Sequence, residues 1–330
     1  MSAGDRVTIY DVARAAGVSP STVSRTLTRP GRVSVATARQ VRQAIDELGY
    51  ESAPSSAYTD ADTRVIALSV QRLANPIYSD ILSGFREYFD EGYVPIVVES
   101  NEDAHQEAAN LRQILPFVDG VILASSLLTD SQIVNIHKQK PTVLIQRKVS
   151  GVPSIMFDVR GGVGHLLDLF KQFAHDELLY LSGPDRSWTN GIRWRAIQTE
   201  AESRNLKVTR TEPFEPSPRS GFSAVTVWQA SKATGVIAFN DLQATGFLKG
   251  INRIGLKVPQ DVSVASFDNS IAAVVAEIPL TSMGGSNFNV GRHAAELLTA
   301  HMRGRRDKAP EIVLPMKIYF RKSLALAPPK

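Results

Sequence analysis

The chain contains no cysteine, which excludes disulfide scaffolds, cysteine-ligated zinc and thiol nucleophiles from the outset. It also lacks long apolar runs. Val94 to Val98 and Val121 to Ala124 are strand-length, far short of the roughly 20 residues that a membrane-spanning helix needs. The N-terminus carries no apolar segment of the secretory kind, so the cytoplasm is the expected compartment. No lysine occurs before Lys138, and the early positive charge is therefore all guanidinium. What is present is ordinary for globular protein: 330 residues, 43% hydrophobic and 21% charged, enough for two or three domains with sizeable cores.

The net charge of +4 is concentrated at one end. Residues 1–50 hold seven arginines against four acids, a surplus of three. Guanidinium forks suit phosphates and guanine edges better than ammonium groups do, although many basic clusters are no more than solvated faces. The local pattern favours the first reading. Thr8 stands as an N-cap, and Ile9, Val12, Ala13 and Ala16 form one apolar stripe, ended by Gly17. Ser19 caps a second helix with Pro20 at its first position, where a missing N–H costs nothing. Val23 and Leu27 are expected on its inner side, leaving Ser21, Thr22, Ser24 and Arg25 outward or sideways. Ser34 caps a third helix whose Ala38, Val41, Ile45 and Leu48 share a face. Two short helices joined by a Gly-Val-Ser turn and closed by a third read as a helix-turn-helix, whose second helix enters the major groove of DNA. A helix that served only to solvate a three-helix cap would carry Glu and Lys rather than Ser-Thr-Ser-Arg.

The run from Val7 to Leu27, with Arg32-Val-Ser34 and Leu48-Gly-Tyr50, closely resembles the DNA-binding headpiece of the lac/gal repressor family. That resemblance implies double-stranded operator DNA as a partner. It places Pro20, Ser21 and Arg25 at base-reading positions and Thr8, Tyr10, Ser19, Thr22, Ser24 and Thr28 at phosphate-contacting ones. The linker departs from the family. Where its hinge helix carries Pro, Ala and a Leu that wedges into the minor groove, this chain has Ser52, Ser56 and Thr59. Residues 51–62 hold three acids and no base, a composition suited to a flexible tether. The expectation is a protein that bends its operator less than its relatives do, with Tyr58 as the alternative wedge.

From Arg64 short β-branched strands alternate with amphipathic stretches, which implies parallel sheets covered by helices on both faces. One series is Val65–Val70, Val94–Val98, Val121–Ala124 and Thr142–Ile145; the other is Leu178–Leu181, Val236–Phe239 and Val262–Ser266. Two series imply two lobes, with a ligand cleft beyond the strand ends. Asn75-Pro-Ile-Tyr78, Val118-Asp-Gly-Val-Ile122, Leu181-Ser-Gly-Pro184, Ala238-Phe-Asn-Asp241, Val258 to Asp268 and Leu280-Thr-Ser282 again resemble the family, whose core is periplasmic-binding-protein-like.

The fold expected is thus an all-α helix-turn-helix headpiece on residues 1–50, a linker on 51–63, and a two-lobed α/β effector-binding and dimerisation domain on 64–330. By the family's topology one lobe takes 64–158 and 284–310 and the other 159–283 and 311–330, with crossings near Asp158, Met283 and Glu311. The effector-site candidates are Asn75, Tyr78, Arg147, Asp158 and Asp268, which match family positions, Asn240 and Trp188, which follow strand ends, and Arg193. Several have plainer readings. Asp268 suits a turn after a strand, Asp241 a helix cap next to Asn240, Trp188 simple packing, and either Arg147 or Asp158 an ion pair between the lobes. The arginine that the family uses on the effector is here Gly191, and Arg193, two residues on, lies on another side of a helix.

No phosphate-binding loop, His-Glu-x-x-His pair or Gly-x-Ser-x-Gly elbow occurs, so neither catalysis, nor a metal, nor a cofactor is expected. The function implied is an effector-responsive repressor of carbohydrate or related catabolic genes. It would bind a near-palindromic operator as a homodimer and answer to a sugar, a sugar derivative or a nucleoside. A solute receptor of a transporter is the alternative, one that leaves the helix-turn-helix unexplained. No heptad segment for a tetramerising tail is seen in the sequence.

Overall fold

A computed structural model describes residues 7–28, 33–48, 63–89, 92–304 and 309–329, with the side chains of Thr28 and Asp46 excepted. The chain divides into two compact units, residues 1–61 and 62–330. The linker residues 51–62, including Tyr58 and the expected tether, lie outside the described residues.

In the first unit, α1 (Ile9–Ala15), α2 (Pro20–Thr28) and α3 (Val35–Leu48) close over Val12, Ala13, Val23, Val41 and Ala44. Gly17 makes the tight turn between α1 and α2 at φ +64°, a conformation that costs glycine nothing, and Val18 N–H returns to the Ala13 carbonyl at 3.0 Å. Ser19 Oγ accepts the Thr22 N–H at 3.2 Å, and Ser34 Oγ that of Thr37 at 3.1 Å, so both expected serines cap their helices. The inner face of α2 differs from expectation: Thr26 is buried beside Val23, while Leu27 is exposed. Burial of Thr26 is possible because its hydroxyl donates to the Thr22 carbonyl at 2.8 Å. On α3, Ala44 takes the buried place and Leu48 is partly exposed.

The second unit holds β1 (Val65–Val70), α4 (Ile77–Tyr88), β2 (Val94–Glu99), α5 (Ala104–Ile114), β3 (Gly120–Ala124), α6 (Asp130–Gln139), β4 (Thr142–Ile145) and β5 (Ser154–Phe157). Next come α7 (Val159–Gln172), β6 (Glu177–Leu181), α8 (Trp188–Glu202), β7 (Lys207–Arg210), α9 (Pro218–Gln229), β8 (Gly235–Ala238), α10 (Asp241–Arg253) and β9 (Ser263–Phe267). The chain finishes with α11 (Ile271–Val275), β10 (Thr281–Gly284), α12 (Asn287–Met302), β11 (Glu311–Leu314) and β12 (Lys317–Tyr319).

Two six-stranded sheets result, in the orders β11-β5-β4-β3-β1-β2 and β12-β10-β9-β8-β6-β7. All pairs are parallel except β10 with β12. Each sheet is buried on both faces, which is why its central strands read as unbroken apolar runs. The chain passes from the first sheet to the second between β5 and α7. It returns between β10 and α12, which packs on α4. Residues 311–314, assigned from the sequence to the second lobe, belong instead to the first: β11 pairs with β5, Ile312 opposite Ile155. The last crossing therefore falls between Leu314 and Lys317, not at Glu311. Glu311–Leu314 alternates exposed and half-buried residues, an edge-strand pattern that carries no mark of which sheet it joins.

Candidate functional site

At 100° per residue, Pro20, Ser21, Ser24, Arg25 and Thr28 fall within about 140° of arc on α2, opposite Val23 and Thr26. Ser21, Ser24 and Arg25 are exposed; Pro20 and Thr22 are half-buried at the edge of the strip. Ser19 Oγ lies 2.9 Å from both Ser21 Oγ and Thr22 Oγ1, so the start of α2 presents three hydroxyls together. Thr8 and Tyr10 project from the start of α1, Tyr10 at 66% exposure. Asp11 accepts from the Thr8 hydroxyl and N–H, which hold its carboxyl below the usual carboxylate range. Thr28 ends α2, but its side chain lies outside the described residues. The headpiece thus assembles every described candidate on its solvent side, with Arg14, Arg39 and Arg42 exposed as well.

The second candidate is a cleft between the two sheets of the larger unit. Counting its open mouth, it takes in about 880 Å3. Asn75, Tyr78, Arg193, Asn240 and Asp268 all line it. Asp268 follows β9 at φ +102°, a strained position for a side-chain-bearing residue. Its Oδ1 accepts from Arg193 Nη2 at 2.8 Å, and its Oδ2 accepts from Asn75 Nδ2 of the other lobe at 3.2 Å. Arg193 also donates through Nη1 to the Phe239 carbonyl and lies over the Phe239 and Phe267 rings at 4.8 and 4.4 Å. The side of α8 that turns inward is therefore Arg193's, whereas a side chain at Gly191 would meet open space.

Asn240 keeps the cleft position expected of it, but the helix cap expected of Asp241 falls to Asn240 as well. Asn240 Oδ1 accepts the Gln243 N–H at 2.9 Å and caps α10 while also facing the cleft. Asp241 points into the lobe, where its carboxylate accepts from Ser266 Oγ (2.5 Å), Ser282 Oγ (2.7 Å) and the N–H and hydroxyl of Ser270 (2.6 and 2.8 Å). Burial, and then the nearby Asp268 charge, push its carboxyl up to about 6 against the opposing serine hydrogen bonds. These bonds, with Asn269 N–H to Ser282 Oγ at 2.9 Å, fasten the turn that presents Asp268.

Three expected residues are not brought into the cavity wall. Asp158 caps α7, accepting the Gly161 N–H at 3.0 Å. Arg147 pairs with Asp130 at 2.6 Å, and its guanidinium stacks 4.3 Å from the Trp188 ring of the other lobe. Arg147 and Trp188 therefore form a contact between lobes outside the cavity. Sequence reasoning missed Arg72, Glu102, Gln146 and Thr189, all of which line it. Gln146, like Ser125, sits immediately past a strand end at φ +55°, and that position was the available signal.

Glu102 is the most perturbed acid of the cleft. Burial raises its carboxyl from 4.5 to about 7, Arg72 opposes the rise and Glu215 adds to it. A raised folded-state value means stability that is full below about 4.5 and lost as pH climbs through 7. Glu102→Gln is thus expected to raise the unfolding free energy by about 1–3 kcal/mol at pH 8, shrinking to a small fraction near pH 5. Urea unfolding at the two pH values measures this, and an equal effect at both would contradict it.

Comparison with known proteins agrees with both parts. Residues 8–52 match the model for bacterial regulatory proteins of the lacI family, and residues 167–324 match that for a periplasmic binding protein-like domain. The HTH-type transcriptional regulator DegA of Bacillus subtilis is 28% identical, covering 96% of this chain and 98% of that protein. The HTH-type transcriptional repressor PurR of Vibrio vulnificus is 27% identical over 93% and 97%. Among solved structures, the transcriptional regulator CelR–cellobiose complex superposes with a TM-score of 0.70 at 26% identity, over 96% of this chain and all of that one. The lac repressor dimer bound to operator and an anti-inducer superposes at 0.71 with 23% identity, over 97% and 100%.

Proposed function

The chain belongs to the lacI family of bacterial regulatory proteins, and from that premise we propose that it is a homodimeric repressor reading a near-palindromic operator and answering to a sugar-like effector. It is a regulator of transcription, not an enzyme. The observation that carries the DNA reading is the outward strip of α2, where Ser21, Ser24 and Arg25 stand exposed above a Val23–Thr26 inner face. Small hydroxyls let the backbone approach phosphates, and Arg25 has the reach to read a guanine edge bidentately. Thr8, Tyr10, Ser19, Pro20, Thr22 and Thr28 complete the contact set under this reading.

Two-fold assembly follows from area, since one small headpiece buries too little surface for specific affinity and two can read half-sites about one turn apart. The operator-bound lac repressor relative is a dimer, which supports the same arrangement. So does α11, whose Ile271, Val274 and Val275 are exposed apolar residues. Residues 1–50 then serve DNA, 51–63 the tether, and 64–330 the effector and the dimer. A DNA partner places the protein in the cytoplasm; among the described residues no helix is long and apolar enough to cross a membrane.

The cleft supports effector binding through Asn75, Tyr78, Arg193, Asn240 and Asp268, and relatives hold cellobiose and ribose. Effector preference for one lobe arrangement is what would shift the headpieces. Selection of bound sequences from a random DNA pool, followed by a gel shift with and without sugars, tests the whole reading. A protein that enriches no sequence would overturn it. On the selected site, Arg25→Ala is expected to cost about 1–3 kcal/mol and to relax base choice at one position per half-site. Unchanged affinity and an unchanged consensus would remove Arg25 from base reading.

A further inference from the structure

Each oxygen of Asp268 already has one partner in this molecule, which leaves room for a further donor on each. One oxygen takes the Arg193 fork and the other takes Asn75 across the cleft. Most of the unmet hydrogen-bonding capacity of the cavity lies elsewhere. Arg72 Nε, Gln146 Nε2, Thr189 Oγ1 and Arg193 Nε are buried atoms without a partner among the described residues, and all four residues line the cavity. Glu102 lines it too and makes no hydrogen bond or close ion pair among the described residues; its charged neighbours are Arg72 and Glu215, with the Tyr78 hydroxyl also in its field.

The backbone goes to some expense to place this carboxylate. Asn101 and Glu102 both adopt left-handed conformations, φ +56° and +63°, directly after β2. Such strain at non-glycine residues concentrates at ligand sites.

Chemistry then narrows the ligand. When ionised, Glu102 can only accept, Arg72 and the Gln146 amide nitrogen can only donate, and Thr189 can do either. The two arginines of the lining, Arg72 and Arg193, balance Glu102 and Asp268. An anion drawn to Arg72 would face Glu102 and Glu215, and a cation drawn to Glu102 would face Arg72. A hydroxyl satisfies both neighbours at once, because it donates and accepts. We propose that Glu102 and Arg72 are the specificity-determining pair of the cleft, and that they select an uncharged polyhydroxylated effector whose hydroxyls donate to Glu102 and accept from Arg72. The proposal rests on the cleft being the effector site. Its raised carboxyl makes Glu102 fully charged only above neutrality, so binding is best read at pH 8.

The test is calorimetric titration of the full chain at pH 8 with matched sets. These are glucose against glucuronate, glucosamine and glucose 6-phosphate; ribose against ribose 5-phosphate; and cellobiose against cellobionate. At least one neutral member is expected to bind, with its charged counterparts weaker by about tenfold or more. Glu102→Gln and Arg72→Gln are each expected to weaken that neutral ligand by about 10- to 100-fold, the range for a lost hydrogen bond to a charged group. The comparison of ligands on the unaltered protein holds whether or not the variants fold. A charged analogue binding as tightly as its neutral parent would overturn the pair. So would binding undiminished in both variants but lost in Gln146→Ala or Thr189→Val, an outcome that leaves the cleft standing. Binding indifferent to all four substitutions, or none by any compound, would overturn the cleft assignment and the pair with it.

Discussion

Replacing Arg193 with methionine is expected to lower the unfolding free energy of the larger unit by about 3–5 kcal/mol, the usual cost of stripping one partner from a buried ion pair. The side chains of Arg193 and Asp268 are only 10% and 5% exposed, and they meet at 2.8 Å. Methionine would keep much of the packing against Phe239 and Phe267 but leave Asp268 with Asn75 alone, at 3.2 Å. The cost is therefore the stranded carboxylate rather than lost volume. It follows that Arg193→Met combined with Asp268→Asn should be much less damaging than the sum of the single changes, because the pair is then removed together. Urea unfolding of the two single variants and the double variant measures the coupling. Strict additivity would show that the two groups do not depend on each other. Both residues line the cleft, so each single change is also expected to abolish the response to effector.

A comparable loss is expected from single methyl groups at the helix crossings. In the first lobe α4 meets α12 at Gly84 and Gly291. A Cβ on Gly84 would lie 1.8 Å from the Phe288 carbonyl oxygen, and one on Gly291 1.9 Å from that of Ile81. The second lobe repeats the device, with Gly221 of α9 against the Gln243 carbonyl and Gly246 of α10 against that of Pro218, both at 1.8 Å. These neighbours are backbone atoms of packed helices and cannot rotate away. Alanine in mid-helix is ordinarily favoured over glycine by roughly 0.5–1 kcal/mol. Here the sign reverses, and each Gly→Ala is expected to destabilise by about 3 kcal/mol or more as the helices are forced apart. Gly191→Ala in α8 is the control, since its Cβ would meet nothing within 4 Å and should bring the ordinary gain. Thermal unfolding of the five variants decides the matter; a neutral Gly221→Ala would mean that the crossing has slack.

The two lobes were legible from alternation alone because central parallel strands are apolar on both faces and cannot be mistaken for loops. The strands that escaped, Ser154–Phe157, Lys207–Arg210, Thr281–Gly284, Glu311–Leu314 and Lys317–Tyr319, are short, and three of them are sheet edges. Edge strands are half-solvated, so hydrophobic period says little about them. On α2 the pattern favoured Leu27 over Thr26, because a threonine is buried only when its hydroxyl finds a carbonyl, a pairing that one-dimensional spacing does not display.

The headpiece was set down in the sequence by itself. Its caps, its glycine turn and its hydroxyl-and-arginine strip are local features, each acting within a few residues of its position, and the two-lobed architecture is likewise written in the alternation of its segments. The composition of the cleft was decided by the tertiary structure. Arg193, Asp268 and Asn75 come from three distant stretches, and whether a given polar group is spent on a cap, as Asp158 is, on a buried network, as Asp241 is, or left in the cavity wall without a hydrogen bond among the described residues, as Glu102 is, depends on partners that only folding brings within reach.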